Sequence, residues 1–239
     1  MSTSYLRPDV MIQNLHLRRA FVERVKPGRP HTDDALRTIN ATADVGDRLA
    51  AESQKLEADR NLTGVGRTVA LAELARGGLA RDYARASRQA RRVPAFVQSQ
   101  RAGLTPPKPD PANLIGEFKR QEVRNHLSNL PPAERLRLAK ELAGDPEQAA
   151  AFLDAPAYLS GLDDQALKMP DARIYESLRQ SVIRKLHGPR LEELEAQGDD
   201  YAACSGIASA VRHQLYKVSG LSADGFEKMI RPIEDDADR

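Results

Sequence analysis

Between residues 72 and 97 the apolar side chains recur at helical intervals. Wound at about 100° per residue, Ala72, Ala75, Leu79, Tyr83, Ala86, Ala90 and Val97 fall on one side. Arg81, Arg85, Arg88 and Arg92 fall within an arc of roughly 60° on nearly the opposite side. The alanines of the stripe allow a partner helix to come close, and Pro94 is expected to end or kink the helix before Val97. Upstream, residues 31–60 read as a helix with Thr32 as its N-cap and acids in its first turn. Its stripe is Leu36, Ile39, Ala43 and Ala50, while Leu49 and Leu56 point elsewhere, so this helix needs contacts on more than one side. Residues 61–66 form the turn between the two, with Thr63 capping the second helix. The pattern predicts a long N-terminal helical hairpin. The opening stretch, Ser4–Val25, is read as helix from "LHLRRAFVERV", although "VMIQNLHL" also suits a strand.

Pro106, Pro107, Pro109 and Pro111 then fix φ and remove backbone donors, which makes 105–112 a stiff, polyproline-like connector. Beyond it the helices are shorter. "LPPAERLRLAKELAG" opens on proline and closes on Gly144; "DPEQAAAFLDAP" opens on Asp145-Pro146. A helix capped by Asp171 carries Ile174, Leu178, Val182 and Leu186 inward, places His187 at its C-terminal dipole, and is expected to stop at Gly188-Pro189. Residues 201–220 repeat the pattern with Cys204, Ile207, Ala208, Val211, Leu215 and Val218 inward. The tail "IEDDADR" reads as acidic and exposed. The predicted fold is all-α: a long N-terminal helical hairpin plus a compact C-terminal multi-helix domain. Its expected divisions are a basic, extended helical region over 1–104, the connector 105–112, and an acidic compact domain over 113–239.

Composition sharpens this picture. Aromatic residues are 5% of the 239 and tryptophan is absent, so the core must be built from Leu, Ala, Ile and Val. A single cysteine rules out an internal disulfide. No apolar run has membrane-spanning length and the start lacks a leader pattern, so the expected setting is a reducing compartment or a particle assembled in one. The net charge of +2 conceals a polarity: residues 1–104 hold 18 Lys+Arg against 11 Asp+Glu, and the remainder 18 against 23. Opposed halves suit a nucleic-acid face or head-to-tail packing of subunits, and also arise from ordinary drift of charge along a chain. Arginine outnumbers lysine 27 to 9, which fits bidentate recognition of phosphate or carboxylate and equally fits a GC-rich coding bias.

No catalytic pattern emerges. His16, His31, His126, His187 and His213 are not spaced with other ligands as metal sites are. Cys204 lies on an apolar stripe and reads as a small core residue, and His213 lies opposite that stripe, facing water. "LTGVGRT" lacks the spacing and the lysine of a phosphate loop. Glu176 reads as exposed near a helix start, and the paired acids at 163–164 and 191–195 read as solvated. The expectation is no enzyme, no cofactor, no metal and no small-molecule substrate.

The arginine stripe remains. Residues 61–104 carry eight arginines against Glu73 and Asp82. Arg81, Arg85, Arg88 and Arg92 suit phosphate contacts that need no base readout, pairing with acids on a neighbouring subunit, or plain solvation. No stacking aromatic is legible beside them, since Tyr83 faces the other way.

"DAPAYLSGL", residues 154–162, resembles short runs in uncharacterised proteins of tailed bacteriophages. The resemblance covers nine residues and carries no catalytic position. It implies a structural component of the virion, assembled in the host cytoplasm: the head–tail connector, the core above the portal, or the proteins ejected with DNA. The implied partners are further copies of the chain and other virion proteins, with non-specific DNA contact left open. The alternative reading is a non-specific DNA-binding or packaging accessory protein; a regulatory adaptor in the host is a third class.

Overall fold

The computed structural model describes residues 16, 18–29, 31–106, 110, 112–168 and 173–239. Among these every regular element is helical and none is a strand, so the chain is all-α. The helices are α1 (Thr32–Ala58), α2 (Gly64–Arg76), α3 (Gly78–Ala86), α4 (Arg88–Gly103), α5 (Leu114–Asn129), α6 (Pro132–Leu142) and α7 (Pro146–Leu153). A 3₁₀ turn (Ala157–Leu159) precedes α8 (Asp164–Leu167), α9 (Ile174–Ser219) and α10 (Ala223–Ala237). They form two compact units, Met1–Gln98 with Glu195–Arg239, and Ser99–Leu194.

In the first unit α3 is the hub, packing against α1, α2 and α10. Its nine residues include three alanines, and these small side chains let neighbours approach on several sides while Leu79 and Tyr83 fill the centre. Ile39 and Leu49 of α1, Ile207, Val211 and Leu215 of α9, and Phe226 and Ile230 of α10 complete the core. The stripe read between 72 and 97 is buried as expected, with Ala86 partly so. The helix that carries it is not continuous. It breaks at Gly77 (φ −96°, ψ −103°) and again at Ser87, whose hydroxyl donates to the Tyr83 carbonyl at 2.7 Å. Three helices therefore occupy the arm expected to be one, and α4 runs through Pro94 instead of ending there.

The entry to α1 also differs from expectation. His31 occupies the cap position, and Thr32 is the first helical residue, its hydroxyl donating to the Lys26 carbonyl at 2.8 Å and accepting from the Arg29 amide. Thr63 does cap α2, accepting from the Gly66 amide. Most of the opening stretch lies outside the described residues, but residues 18–22 are helical. Phe21 lies over Gly206 of α9, where any Cβ would run into its ring.

The second unit is built on Leu127, Ala139, Phe152, Leu162 and Val182. Asn113, Asp145 and Asp163 cap α5, α7 and α8 through their side chains. Asp171, the expected cap of α9, lies outside the described residues. The stop expected at Gly188-Pro189 is absent. The helical geometry of α9 is nevertheless interrupted directly before that pair, at His187 (φ −120°, ψ 20°), whose Nε2 lies 3.2 Å from the Thr105 carbonyl, and a second helical segment continues to Ser219. The division into units thus differs from one placed at the connector, because the apolar faces of Glu195–Arg239 are buried in the first unit's core.

One bonding pattern recurs in both units. The last carbonyls of an α-helix have no partner within the helix, and here arginines supply one. Arg67 donates to Asp59 O at the end of α1, Arg91 to Ala84 O in α3, Arg76 to Ser219 O in α9 and Arg88 to Asp238 O after α10. In the second unit Arg124 donates to Ala151 O of α7. Arg135, only 7% exposed, gathers Leu127 O, Ser128 O and Leu130 O at the end of α5 together with Gly161 O, all within 2.9 Å. Gly161 is at φ +65°, and a Cβ there would lie 2.6 Å from the Arg135 Nη1, so this turn requires glycine twice over.

Replacing Arg135 by Met should strand buried carbonyls and lower stability by about 3 kcal/mol or more. The exposed Arg137→Met control should move it by no more than about 0.5 kcal/mol. Urea unfolding of both variants checks this, and equal effects would refute the role given to Arg135. Gly206→Ala should cost about 1–3 kcal/mol by overpacking. In a double-mutant cycle, Phe21→Ala should then cost less in the Gly206→Ala chain than in the parent.

Candidate functional site

The four arginines of the stripe do not share one environment. Arg81 and Arg85 on α3 and Arg92 on α4 are exposed, and none pairs with a carboxylate among the described residues. Arg88 is turned inward, its Nη2 donating to Asp238 O at 3.0 Å. The break at Ser87 is the cause: the four positions belong to two helices, so an arc drawn for one continuous helix does not hold across them. Asp82, the acid within the stripe, is held by Arg48 at 2.6 Å, which leaves the charge of Arg81 and Arg85 uncompensated.

Arg91, outside the predicted arc, proves central. It lies 2.9 Å from Asp238 and 3.6 Å from Glu234, and it also donates to Ser87 Oγ. Glu234 is 7% exposed and meets Arg212 at 3.3 Å on its other side. Burial raises its pKa, and Arg212 and Arg91 oppose that shift. Of the tail expected to be exposed, Asp235 and Asp236 are exposed, while Glu234 and Asp238 are fastened to α4 by ion pairs with Arg91. The legible signal for this was the spacing of Glu234 and Asp238, which puts both acids on one helix face.

Beside Arg92 an open groove of about 540 Å³ is lined by Gln89, Arg91, Arg92, Val93, Ala95, Phe96 and Asp238. Phe96 is 50% exposed. In the second unit, Leu114, Ile115 and Phe118 at the start of α5 are 66–71% exposed. They are neighbours at helical spacing and form one apolar turn facing water. The segment 154–162 contributes the exposed Tyr158 and Leu159 of the 3₁₀ turn, while its Leu162 is fully buried.

Cys204 is wholly buried, with its Sγ 3.4 Å from Ala35 O; burial, then the charge of Asp200, pushes its thiol up to about 12. His213 faces water as expected. Glu176 is exposed and accepts from Gln180. "LTGVGRT" opens α2 with a threonine cap. Among the described residues no group of three His, Cys, Asp or Glu side chains is placed to hold a metal ion, and no helix is long and apolar enough to cross a membrane. In comparisons with known proteins, no family model, curated protein or solved structure matches the chain.

Cys204 and Tyr201 give a pH signature. Burial raises both to about 12 in the folded chain, whereas the thiol titrates near 9 when free. Between those limits the unfolded chain binds fewer protons than the folded one, so stability should fall as pH rises from about 9 toward 12. Urea midpoints across that range check the sign. At about pH 8 a thiol-alkylating reagent should label Cys204 only in denaturant, and rapid labelling of the native protein would contradict its burial.

Proposed function

We propose that this protein is a non-enzymatic structural component of a tailed-phage virion, acting through contacts with further copies of itself and other virion proteins. The observation that carries the assembly reading is the apolar turn Leu114, Ile115 and Phe118, left in water at the start of α5. Clustered exposed side chains of this size mark protein–protein surfaces. The virion setting rests on the resemblance of residues 154–162. The head–tail connector, the core above the portal and the set of ejected proteins are the places it suits, with assembly in the host cytoplasm.

A second reading, non-specific DNA contact, is favoured by one observation: Arg81, Arg85 and Arg92 are exposed and have no acidic partner among the described residues. Arg88 is not part of that surface.

The double variant Ile115→Glu/Phe118→Glu should fold normally, lose self-association and drop out of particles, measured by sedimentation and by the protein content of purified virions. A parent chain that stays monomeric at high concentration and is missing from particles would sink the assembly reading. For the second reading, Arg81→Gln, Arg85→Gln and Arg92→Gln together should keep the helices, since Arg and Gln have similar helix propensity. For every phosphate that an arginine no longer neutralises, the salt slope of duplex binding should fall by roughly 0.9. Adding Arg88→Gln should lower stability as well, because it removes the Asp238 carbonyl's donor.

A further inference from the structure

The groove beside α4 places the Arg92 guanidinium, unpaired among the described residues, next to the half-exposed ring of Phe96. Arg92 and Phe96 are four residues apart on α4 and line the same open space. On one helix that spacing stacks their side chains on one face, about 6 Å apart along the axis. Arg88, one turn earlier, is withdrawn to the Asp238 carbonyl, and the Asp238 carboxylate is taken by Arg91 at 2.9 Å. The lining acid is thus neutralised, and Arg92 sets the charge of the groove. Arg81 and Arg85 are exposed on the preceding helix, α3, beyond the break at Ser87, and helical rise keeps Arg81 within about 17 Å of Arg92. Three exposed guanidiniums within that reach can meet more than one phosphate of the same strand.

We infer that this ridge binds single-stranded nucleic acid, with phosphates along Arg81, Arg85 and Arg92 and an unstacked base on the ring of Phe96. The inference rests on the nucleic-acid reading of the ridge and makes it specific. A duplex keeps its bases stacked inside and offers the phenyl ring nothing, whereas a single strand presents base faces to an aromatic platform beside a basic track. The ring also gives a role to a phenylalanine that stands half in water one helical turn from Arg92.

The test is binding of the full chain to a labelled oligo-deoxythymidine strand and to a duplex of equal length, at two salt concentrations. The parent should prefer the strand. Phe96→Ala should weaken strand binding about tenfold or more, leaving the salt slope and duplex binding unchanged. Phe96→Tyr should restore the affinity by restoring the ring. Arg92→Gln should instead reduce the strand's salt slope by roughly 0.7. Circular dichroism of each variant guards against unfolding. If the parent binds strand and duplex alike and Phe96→Ala changes nothing, phosphate binding stands and the stacking inference falls. If the parent binds neither, both fall. If Phe96→Ala changes the oligomer mass but not strand affinity, the ring belongs to a protein interface and the inference is overturned.

Discussion

Arginine at the ends of helices holds this structure together. The chain makes many short helices, and each one ends in carbonyls that its own backbone cannot satisfy. Where such an end is buried, an unpaired carbonyl costs about 1–3 kcal/mol, a large share of the stability of a domain. Arg67, Arg76, Arg88, Arg91, Arg124 and Arg135 meet these carbonyls from neighbouring segments. The planar guanidinium suits the task better than an ammonium, because its fork of donors reaches several carbonyls at once. Arg135 does this for four, and the tight Gly161 turn and the end of α5 are both fixed to it. The excess of arginine over lysine thus has a structural use that neither phosphate recognition nor coding bias supplies.

The same chemistry separates the arginines that build the protein from those left on its surface. Arg88 and Arg91 secure the last turn of α10, and Arg212 shares Glu234 with Arg91. Breaking one member of such a group leaves a partly buried charge without its counter-ion, which costs more than the pair contributes when intact. Arg81, Arg85 and Arg92 carry no such duty among the described residues, and that freedom makes them candidates for an external anion. Among the described residues, the exposed Arg81, Arg85, Arg92 and Phe96 belong to one compact unit, and the apolar turn of α5 belongs to the other.

Much of the fold was legible along the chain. The 3.6-residue periodicity placed Ile39, Leu79, Tyr83, Val97, Val182, Cys204, Ile207, Val211 and Leu215 inward, and all are buried. The caps at Thr63 and Asp145 and the helix start at Pro132 were legible because a side chain or a missing amide acts within a few residues of where it sits. The candidate site was half legible. Three of the four stripe arginines are exposed, but Arg88 is not free, and Arg91 and Phe96 went unread. Ser87 is a permissible helix residue by propensity, and at the break its hydroxyl and the Arg91 guanidinium bond the preceding carbonyls.

By itself, the sequence determined the all-α class, most of the inward faces, though not Leu186, which is exposed, and the absence of an internal disulfide, since periodicity, composition and a single cysteine are local or countable properties. Tertiary structure alone decided which charges are free. It joined Glu195–Arg239 to the N-terminal unit, carried α9 past Gly188-Pro189 through a kink, and drew an acidic tail against Arg88 and Arg91. Those outcomes depend on partners 82 to 150 residues apart, and a charge's fate is set by the distance and burial of its partner, neither of which is written in the order of the residues.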